Sequence, residues 1–384
     1  MERTSSARGT EWSLLRAACS EVASQQDLAL LLQKSIDWKI LLELAGHHGV
    51  QPLLYQRLSS MAELIPAEEM RALQQSYQTN LHKAMLLSLE LIRIYDLLSS
   101  SGLKVLAYKG LALAQTVYGD IALRHAGDID LLIPASDFAR IRDTVHELGY
   151  TPHSRLAESQ ERAYLKSGYE CAFDGTAGPN LLELQWAIQP RFYAVDFDMD
   201  GLFRRAVTVP VAGRPMQTPC AEDLFIILSL HAAKHVWGRL IWICDLARLM
   251  NLPKLNWSLI AEQVKTLRVA RIVRVGMLLA NRMLAAPIPD AAKASLPQDA
   301  LAEELADEIY PHVTSRTPFD VESFDYFRLM LRLREAKFDR LRFLSRLVFT
   351  PGPGEWEAIQ FPAPLSPLYR WVRLSRLMAR MLRT

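Results

Sequence analysis

The chain has 384 residues, half of them hydrophobic, which is enough to bury a sizeable core in more than one domain. Its formal net charge is only +2, so no global charge excess indicates a nucleic-acid-binding or membrane-surface protein. No apolar run approaches the roughly 20 residues that span a bilayer. The opening segment, MERTSSARGTEWSLL, lacks the apolar stretch of a signal peptide. The four cysteines form no C-x-x-C pair, which is typical of reduced thiols. We therefore expect a cytoplasmic protein.

The first predicted unit is an N-terminal helical region, residues 1–101. Apolar residues recur at helical spacing in DWKILLELAGHHGVQPLLYQRL, and Gly49 is suited to end a helix. A long helical pattern then begins at Pro66 and ends at SSSG, where Gly102 suits a left-handed cap.

The pattern changes at residue 102, where short apolar segments predict strands. These segments are LKVLAY, DIDLLI, YECAF and NLLELQW, with RRAVTVPV as a further candidate, and helical patterns separate the first three. This order predicts a small α/β core over residues 102–214. The helical sequence that follows predicts a C-terminal helical region over residues 215–384. The fold class is therefore α+β, and mainly helical overall.

Two acidic residues, Asp128 and Asp130, open the predicted strand DIDLLI. Side chains alternate on a strand, so both acids are predicted to share one face, about 6.5 Å apart at the backbone. Two such carboxylates can converge on a pair of divalent ions about 3.5–4 Å apart, the spacing of a two-metal phosphoryl-transfer site. Magnesium suits this donor set. Glu183, in NLLELQW, is the candidate third acid, and Asp174, on a neighbouring segment, is the next candidate if Glu183 points into the apolar core.

A phosphate cradle is predicted at Lys109-Gly110, between the strand LKVLAY and the helical pattern LALAQTVYG. Backbone N–H groups at such a turn favour an anion. Gly110 allows close backbone approach, and Lys109 supplies positive charge.

An isolated D-x-D has an ordinary structural explanation. It is most often a solvated strand end or a salt-bridge partner of a nearby arginine, such as Arg124. The ordered combination of strand, Lys-Gly turn, helix, D-x-D strand and a later acid on a strand is considerably more specific.

The segment LAYKGLALAQTVYGDIALRHAGDIDLLI resembles the nucleotidyltransferase superfamily of the DNA polymerase beta type, and most closely its uncharacterised bacterial group. The resemblance covers most of the chain from about residue 35. The matching features are Lys109-Gly110, Tyr118-Gly119-Asp120, Arg124, Asp128-Ile129-Asp130, Glu183-Leu184-Gln185-Trp186 and the segment LHAAKHVW with a later aspartate.

The resemblance implies a polymerase-beta-like core and magnesium-dependent transfer of an NMP group from an NTP to an unidentified acceptor, with manganese as an alternative ion. It implies catalytic and metal-binding roles for Asp128, Asp130 and Glu183. The expected nucleotide-binding residues are Lys109, Gly110, Arg124, His231, Lys234 and His235.

Two departures from the family pattern leave an alternative open. Leu111 follows Gly110 where the wider superfamily has serine or glycine, and Gln185 stands where the group often has histidine. A catalytically silent protein that binds a nucleotide or a partner is therefore the first alternative.

His231 and His235 lie four residues apart on a predicted helix and therefore share a face. This is a metal-ligand spacing, but Ala232 replaces the glutamate of the H-E-x-x-H zinc motif. Hydrogen bonding inside the helical region is favoured over a metal site. A role in lining the cleft, together with Lys234 and Arg239, carries about equal weight.

The C-terminal segment SPLYRWVRLSRLMARMLRT predicts a basic amphipathic helix. Such a helix can contact a membrane surface or an acidic partner, which is the second alternative. The favoured interpretation is a terminal helix packed on its own domain. The arginines of its stripe are Arg370, Arg373, Arg376, Arg380 and Arg383.

Overall fold

The computed structural model describes residues 2–154, 158–176, 178–315, 319–320, 323–351, 353–359 and 361–381. Within these ranges most residues are helical, and the strands form two small sheets. The predicted α+β class with a helical majority is confirmed.

The helices cluster before and after the sheet. Those of the described residues are α1 (Glu2–Cys19), α2 (Gln25–Leu32), α3 (Trp38–His48), α4 (Gln51–Leu58), α5 (Ala67–Ser100), α6 (Gly110–Leu113), α7 (Phe138–Glu147), α8 (Glu158–Ser167), α9 (Met199–Arg204), α10 (Ala221–Lys234), α11 (Leu240–Met250), α12 (Trp257–Leu267), α13 (Ala270–Leu284), α14 (Asp290–Ser295), α15 (Ala300–Thr314), α16 (Phe324–Arg332), α17 (Lys337–Phe349), α18 (Pro353–Ala358) and α19 (Tyr369–Met381). Short 3₁₀ helices lie at Ser59–Leu64, Ala135–Asp137, Arg191–Tyr193 and Ala363–Leu368, and a π-helical turn lies at Ala114–Tyr118.

The larger sheet has the strand order β1-β2-β5-β4-β3, and the smaller one is the hairpin β6-β7. In the larger sheet, β2 and β5 run parallel, while the neighbouring pairs β1-β2, β5-β4 and β4-β3 are antiparallel. The strands are β1 (Leu106–Ala107), β2 (Ile129–Leu132), β3 (Thr151–Pro152), β4 (Glu170–Gly175), β5 (Gly178–Gln185), β6 (Val207–Val211) and β7 (Arg214–Thr218).

Several elements differ from their predicted extent. β1 has two residues, and β2 begins at Ile129, so Asp128 lies just before the strand and not within it. The helix predicted after Gly110 is one α-helical turn that continues as a π-helical turn. The segment RRAVTVPV contributes one half of a hairpin whose second strand was not predicted.

Two large apolar clusters organise the molecule. The first joins the N-terminal helices to the C-terminal ones and includes Leu14, Leu41 and Leu279. The second lies under the sheet and includes Leu131 and Leu184. Helix α5, which is 34 residues long, contributes to both clusters. The two clusters are therefore linked by one continuous helix.

A smaller apolar cluster covers the opposite face of the sheet. Leu106 and Leu132 pack there against Leu202 of α9 and Ile227 of α10. This contact places the last turn of α10 beside the sheet face that carries Asp130. None of the helices in the described residues combines the length and apolar character needed to cross a lipid bilayer.

Candidate active site

A cleft of about 380 Å³ opens between the sheet and the end of α10. Its walls come from the turn before α6, the loop before β2, the strands β4 and β5, and α10 with the residues after it. The cleft brings together all nine site residues predicted from the sequence: Lys109, Gly110, Arg124, Asp128, Asp130, Glu183, His231, Lys234 and His235.

The carboxylates lie together because of strand alternation and register. Asp130 of β2 is directly opposite Glu183 of the parallel strand β5. Their neighbours Leu131 and Leu184 point into the apolar cluster under the sheet, so the two acids face the cleft. Asp128 lines the same cleft from the end of the preceding loop.

Gln185 links two of these acids. Its Nε2 donates hydrogen bonds to Asp130 Oδ1 (3.2 Å) and to Glu183 Oε2 (2.9 Å). The buried hydroxyl of Tyr108 donates to Gln185 Oε1. Because that oxygen is occupied, the amide NH₂ group is directed at the carboxylates.

The turn before α6 has unusual backbone geometry. Lys109 has a positive φ of 53°, which is strained for a non-glycine residue, and Gly110 follows at 36°. A Cβ on Gly110 would lie 3.4 Å from the carbonyl oxygen of Asp128 and 4.0 Å from Asp130 Oδ2. Glycine therefore lets the backbone approach the acids closely. With only four residues in α6, the predicted helix-dipole contribution is small.

Lys109 is the cation nearest to these acids. Its Nζ lies 3.4 Å from Asp130 Oδ1 and 4.8 Å from the centre of the Tyr108 ring. Burial is the largest single influence on the pKa of Lys109 and acts to lower it, but Asp130, Tyr108 and Glu183 together outweigh burial, so the pKa is raised. Lys109 therefore stays protonated.

The charged forms of Asp128 and Glu183 are destabilised by burial and by the nearby Asp130 carboxylate. Burial, and then repulsion from Asp130, raises the pKa of Asp128 to about 6 and that of Glu183 to about 7. Within the described residues, the Asp128 carboxylate has no hydrogen-bond or ion-pair partner. The buried carboxylates therefore repel one another, and an added cation would relieve this repulsion.

Arg124 is not the salt-bridge partner of the D-x-D pair. Its Nε lies 3.0 Å from Asp245 Oδ1, and its Nη2 lies 3.0 Å from Asp245 Oδ2. The Tyr118 hydroxyl donates to the same carboxylate at 2.7 Å. The ordinary explanation of the D-x-D pair as a partner of Arg124 is therefore wrong, because Asp245 of α11 takes that place.

The two histidines lie side by side at the opposite wall. Their ring centres are 5.0 Å apart, and Trp242 packs against both rings. Burial, and then nearby lysines, lowers the pKa of His235 to about 4; burial also lowers that of His231 well below its usual value. Both are therefore neutral near pH 7.

Across the described ranges, no group of three or more His, Cys, Asp and Glu side chains is arranged to hold a metal ion.

Residues 34–285, more than half of the chain, match a family of uncharacterised nucleotidyltransferases. The chain belongs to this family. Comparison with curated proteins and with solved structures gives no match. Membership of this nucleotidyltransferase family indicates transfer of nucleotidyl groups in general. All of the residues that line the cleft fall inside the matched range.

Four further polar residues of this nucleotidyltransferase cleft were not predicted. These are His125 of the loop before β2, Tyr169 just before β4, Glu170 of β4, and Gln189 of the loop after β5. The Tyr169 hydroxyl accepts a hydrogen bond from Lys234 Nζ at 3.0 Å. The signal for Glu170 was its position in the strand YECAF, but that signal becomes useful only once β4 is known to pair with β5.

Two other sequence-derived candidates lie elsewhere. Asp174, the substitute for Glu183 as third acid, forms an exposed pair with His153 at 3.0 Å, away from the nucleotidyltransferase cleft. In the basic stripe of α19, Arg373 and Arg376 each lie 3.5 Å from the buried Glu355 of α18. The side chain of Arg380 and all of Arg383 lie outside the described residues.

Proposed function

We propose that this protein transfers an NMP group from a magnesium-bound NTP to a hydroxyl group of an acceptor, using a polymerase-beta-like core. The observation that carries the proposal is the direct pairing of Asp130 with Glu183 on parallel strands. Asp128 and the Lys109-Gly110 turn line the same cleft.

The donor set suits magnesium. Mg²⁺ prefers oxygen ligands and is usually held by one or two carboxylates, with water and substrate phosphate completing the octahedron. Asp128 and Asp130 would hold it, and the raised pKa of Asp128 supports a site that favours a cation. When bound, Mg²⁺ supplies charge neutralisation at the phosphates and stabilises the leaving pyrophosphate.

Glu183 is the proposed general base. Its pKa of about 7 matches the requirement for a base that works near neutral pH. It takes the proton of the acceptor hydroxyl, whose oxygen bonds to the α-phosphorus while the bond to the pyrophosphate oxygen breaks. Lys234 and the remaining donor of Arg124, its Nη1, line the cleft as candidates to contact the phosphates.

Calorimetric titration of ATP with and without Mg²⁺, beside an assay of pyrophosphate release, tests the proposal. We expect Mg²⁺-dependent binding in the wild type and its loss in Asp130→Asn. Equal binding by both proteins, independent of Mg²⁺, would refute the metal-dependent site.

One observation favours a silent nucleotide-binding protein as the second candidate. Leu111 stands where the superfamily often has serine, and its side chain is buried in the cluster under the sheet. It therefore contributes nothing to the cleft. The same pair of assays separates the two functions, because a silent protein binds the nucleotide and releases no pyrophosphate with any acceptor.

A further inference from the structure

A second cavity, of about 340 Å³, lies between α8, the 3₁₀ turn after β5, α17 and α19. We call it the arginine pocket. It is lined by Ser167, Arg191, Ser345, Arg346, Phe349, Thr350, Pro351 and Arg370. Three of these side chains are cationic, three carry hydroxyl groups, and none is acidic.

The arginine pocket adjoins the active-site cleft along two stretches of chain. Ser167 lines the pocket and Tyr169 lines the cleft; likewise, Arg191 lines the pocket and Gln189 lines the cleft. Two residues span at most about 7 Å. The backbone segments that line the two cavities therefore lie close together at both points, at a separation that a small organic molecule can span.

The charge of the arginine pocket is only partly neutralised. Arg346 pairs with Asp196, at 2.6 and 3.1 Å. Arg191 donates to the carbonyl oxygen of Lys166 at 3.0 Å, but its guanidinium contacts no carboxylate among the described residues. The exposed Arg370 has neither an ion pair nor a hydrogen bond within those residues. Two guanidinium groups are thus available to an anion.

The C-terminal segment that supplies α17 and α19 is also rich in basic residues. Residues 324–384 contain twelve Lys and Arg but only five Asp and Glu, whereas the whole chain has a net charge of +2. The rest of the chain is therefore acidic overall. An excess of positive charge in the segment that supplies α17 and α19 favours a negatively charged ligand.

Phosphate is the anion that this donor set fits best. Planar guanidinium groups match phosphate oxygens in pairs, and hydroxyl groups add further donors. The half-exposed ring of Phe349 offers an apolar surface beside them. We propose that the arginine pocket binds a phosphate group carried by the acceptor. The assignment of the ligand as acceptor rests on the proposed function; the phosphate site itself does not.

Binding assays on the full chain test the pocket directly. Two probes cover the two sources of phosphate: a short fluorescein-labelled single-stranded oligonucleotide, followed by anisotropy, and glucose 6-phosphate, followed by calorimetry with glucose as its phosphate-free control. Arg370→Glu reverses one charge of the pocket. Arg71→Glu makes the same change on the exposed start of α5 and is the matched control.

We expect Arg370→Glu to weaken binding of at least one probe roughly tenfold or more, with Arg71→Glu unchanged and both variants melting like the wild type. Oligonucleotide binding indicates a nucleic-acid acceptor, and glucose 6-phosphate binding without glucose binding indicates a small phosphorylated one. Asp130→Asn should still bind the probe, so loss of nucleotidyl transfer is distinguishable from loss of this site. Failure of the wild type to bind either probe, or equal weakening by both charge reversals, would overturn the proposal.

Discussion

The guanidinium of Arg124 and the carboxylate of Asp245 form a buried ion pair between the loop that leads into β2 and helix α11. The residues are 121 positions apart in sequence. Tyr118 donates a hydrogen bond to the same carboxylate. This pair fastens the loop that ends at Asp128, so the position of one catalytic candidate depends on a helix outside the sheet.

Asp245→Asn should lower the free energy of unfolding by about 3–5 kcal/mol, because it leaves the buried Arg124 without its anionic partner. Urea denaturation measures the change. Asp96→Asn breaks an exposed pair with Arg214 and serves as control, with an expected change below about 1 kcal/mol. Equal effects of the two substitutions would contradict a structural role for the Arg124 pair.

Asp130→Asn should reduce turnover by about 10²–10³-fold, since it removes a charge that holds the ion at the phosphates. Its melting temperature should stay at or above that of the wild type, because repulsion on Asp128 and Glu183 falls. Lys109 keeps its attraction to Glu183. Asp174→Asn, outside the cleft, should leave turnover unchanged. A lower melting temperature with intact nucleotide binding would instead indicate a structural aspartate.

The pH dependence of stability should reveal the crowded acids. The pKa values of Asp128 and Glu183 are raised in the folded state, to about 6 and about 7. The unfolded chain therefore releases these protons first as pH rises, and the folded state loses stability up to about pH 7. His235 titrates in the opposite sense, since its pKa is lowered. The contribution of the two acids is therefore best measured as the difference in stability between the wild type and a variant that lacks both carboxylates.

The double variant Asp128→Asn/Glu183→Gln should gain stability relative to the wild type as pH rises from 5 to 8, in roughly the interval set by those pKa values. Thermal melts without divalent ions measure this difference. Adding Mg²⁺ at pH 8 should raise the melting temperature of the wild type and leave the double variant unaffected. If the difference in stability between the two proteins did not change with pH, the pKa values of the two acids would not be raised in the folded state.

Gln185→Leu should lower both stability and turnover. It removes the donor shared by Asp130 and Glu183 and leaves the buried Tyr108 hydroxyl without its acceptor, at a cost of about 1–3 kcal/mol. Gln185→His places one ring nitrogen toward the Tyr108 hydroxyl and the other toward the carboxylates, and should recover part of the stability and part of the turnover. Chemical denaturation and pyrophosphate release measure the two effects. If leucine and histidine behave alike, hydrogen bonding by Gln185 is not what positions the acids.

The parts of the site that the sequence predicted depend on local patterns. Alternation in DIDLLI and NLLELQW directs Asp130 and Glu183 away from the apolar cluster, whatever the strand order. The turn at Lys109-Gly110 is likewise defined by adjacent residues. These features need no knowledge of distant contacts.

The missed parts depend on contacts between distant segments. Glu170 reaches the cleft only because β4 pairs with β5, and Asp245 reaches Arg124 only because α11 packs beside the loop before β2. The hairpin strand β7 was missed because RPMQT carries no alternating apolar pattern. Short-range periodicity cannot supply pairing order, since many orders bury the same apolar faces.

The apolar cluster that joins the two ends of the chain has a practical consequence for any attempt to isolate the family region. Leu14 and Leu28 lie before residue 34, and Leu305 and Ile309 lie after residue 285, yet all four are fully enclosed in that cluster. In a fragment trimmed to residues 34–285, the apolar surface that these four side chains cover would be exposed to water. We expect this fragment to aggregate on expression, because the unit that folds extends beyond the region matched by the family.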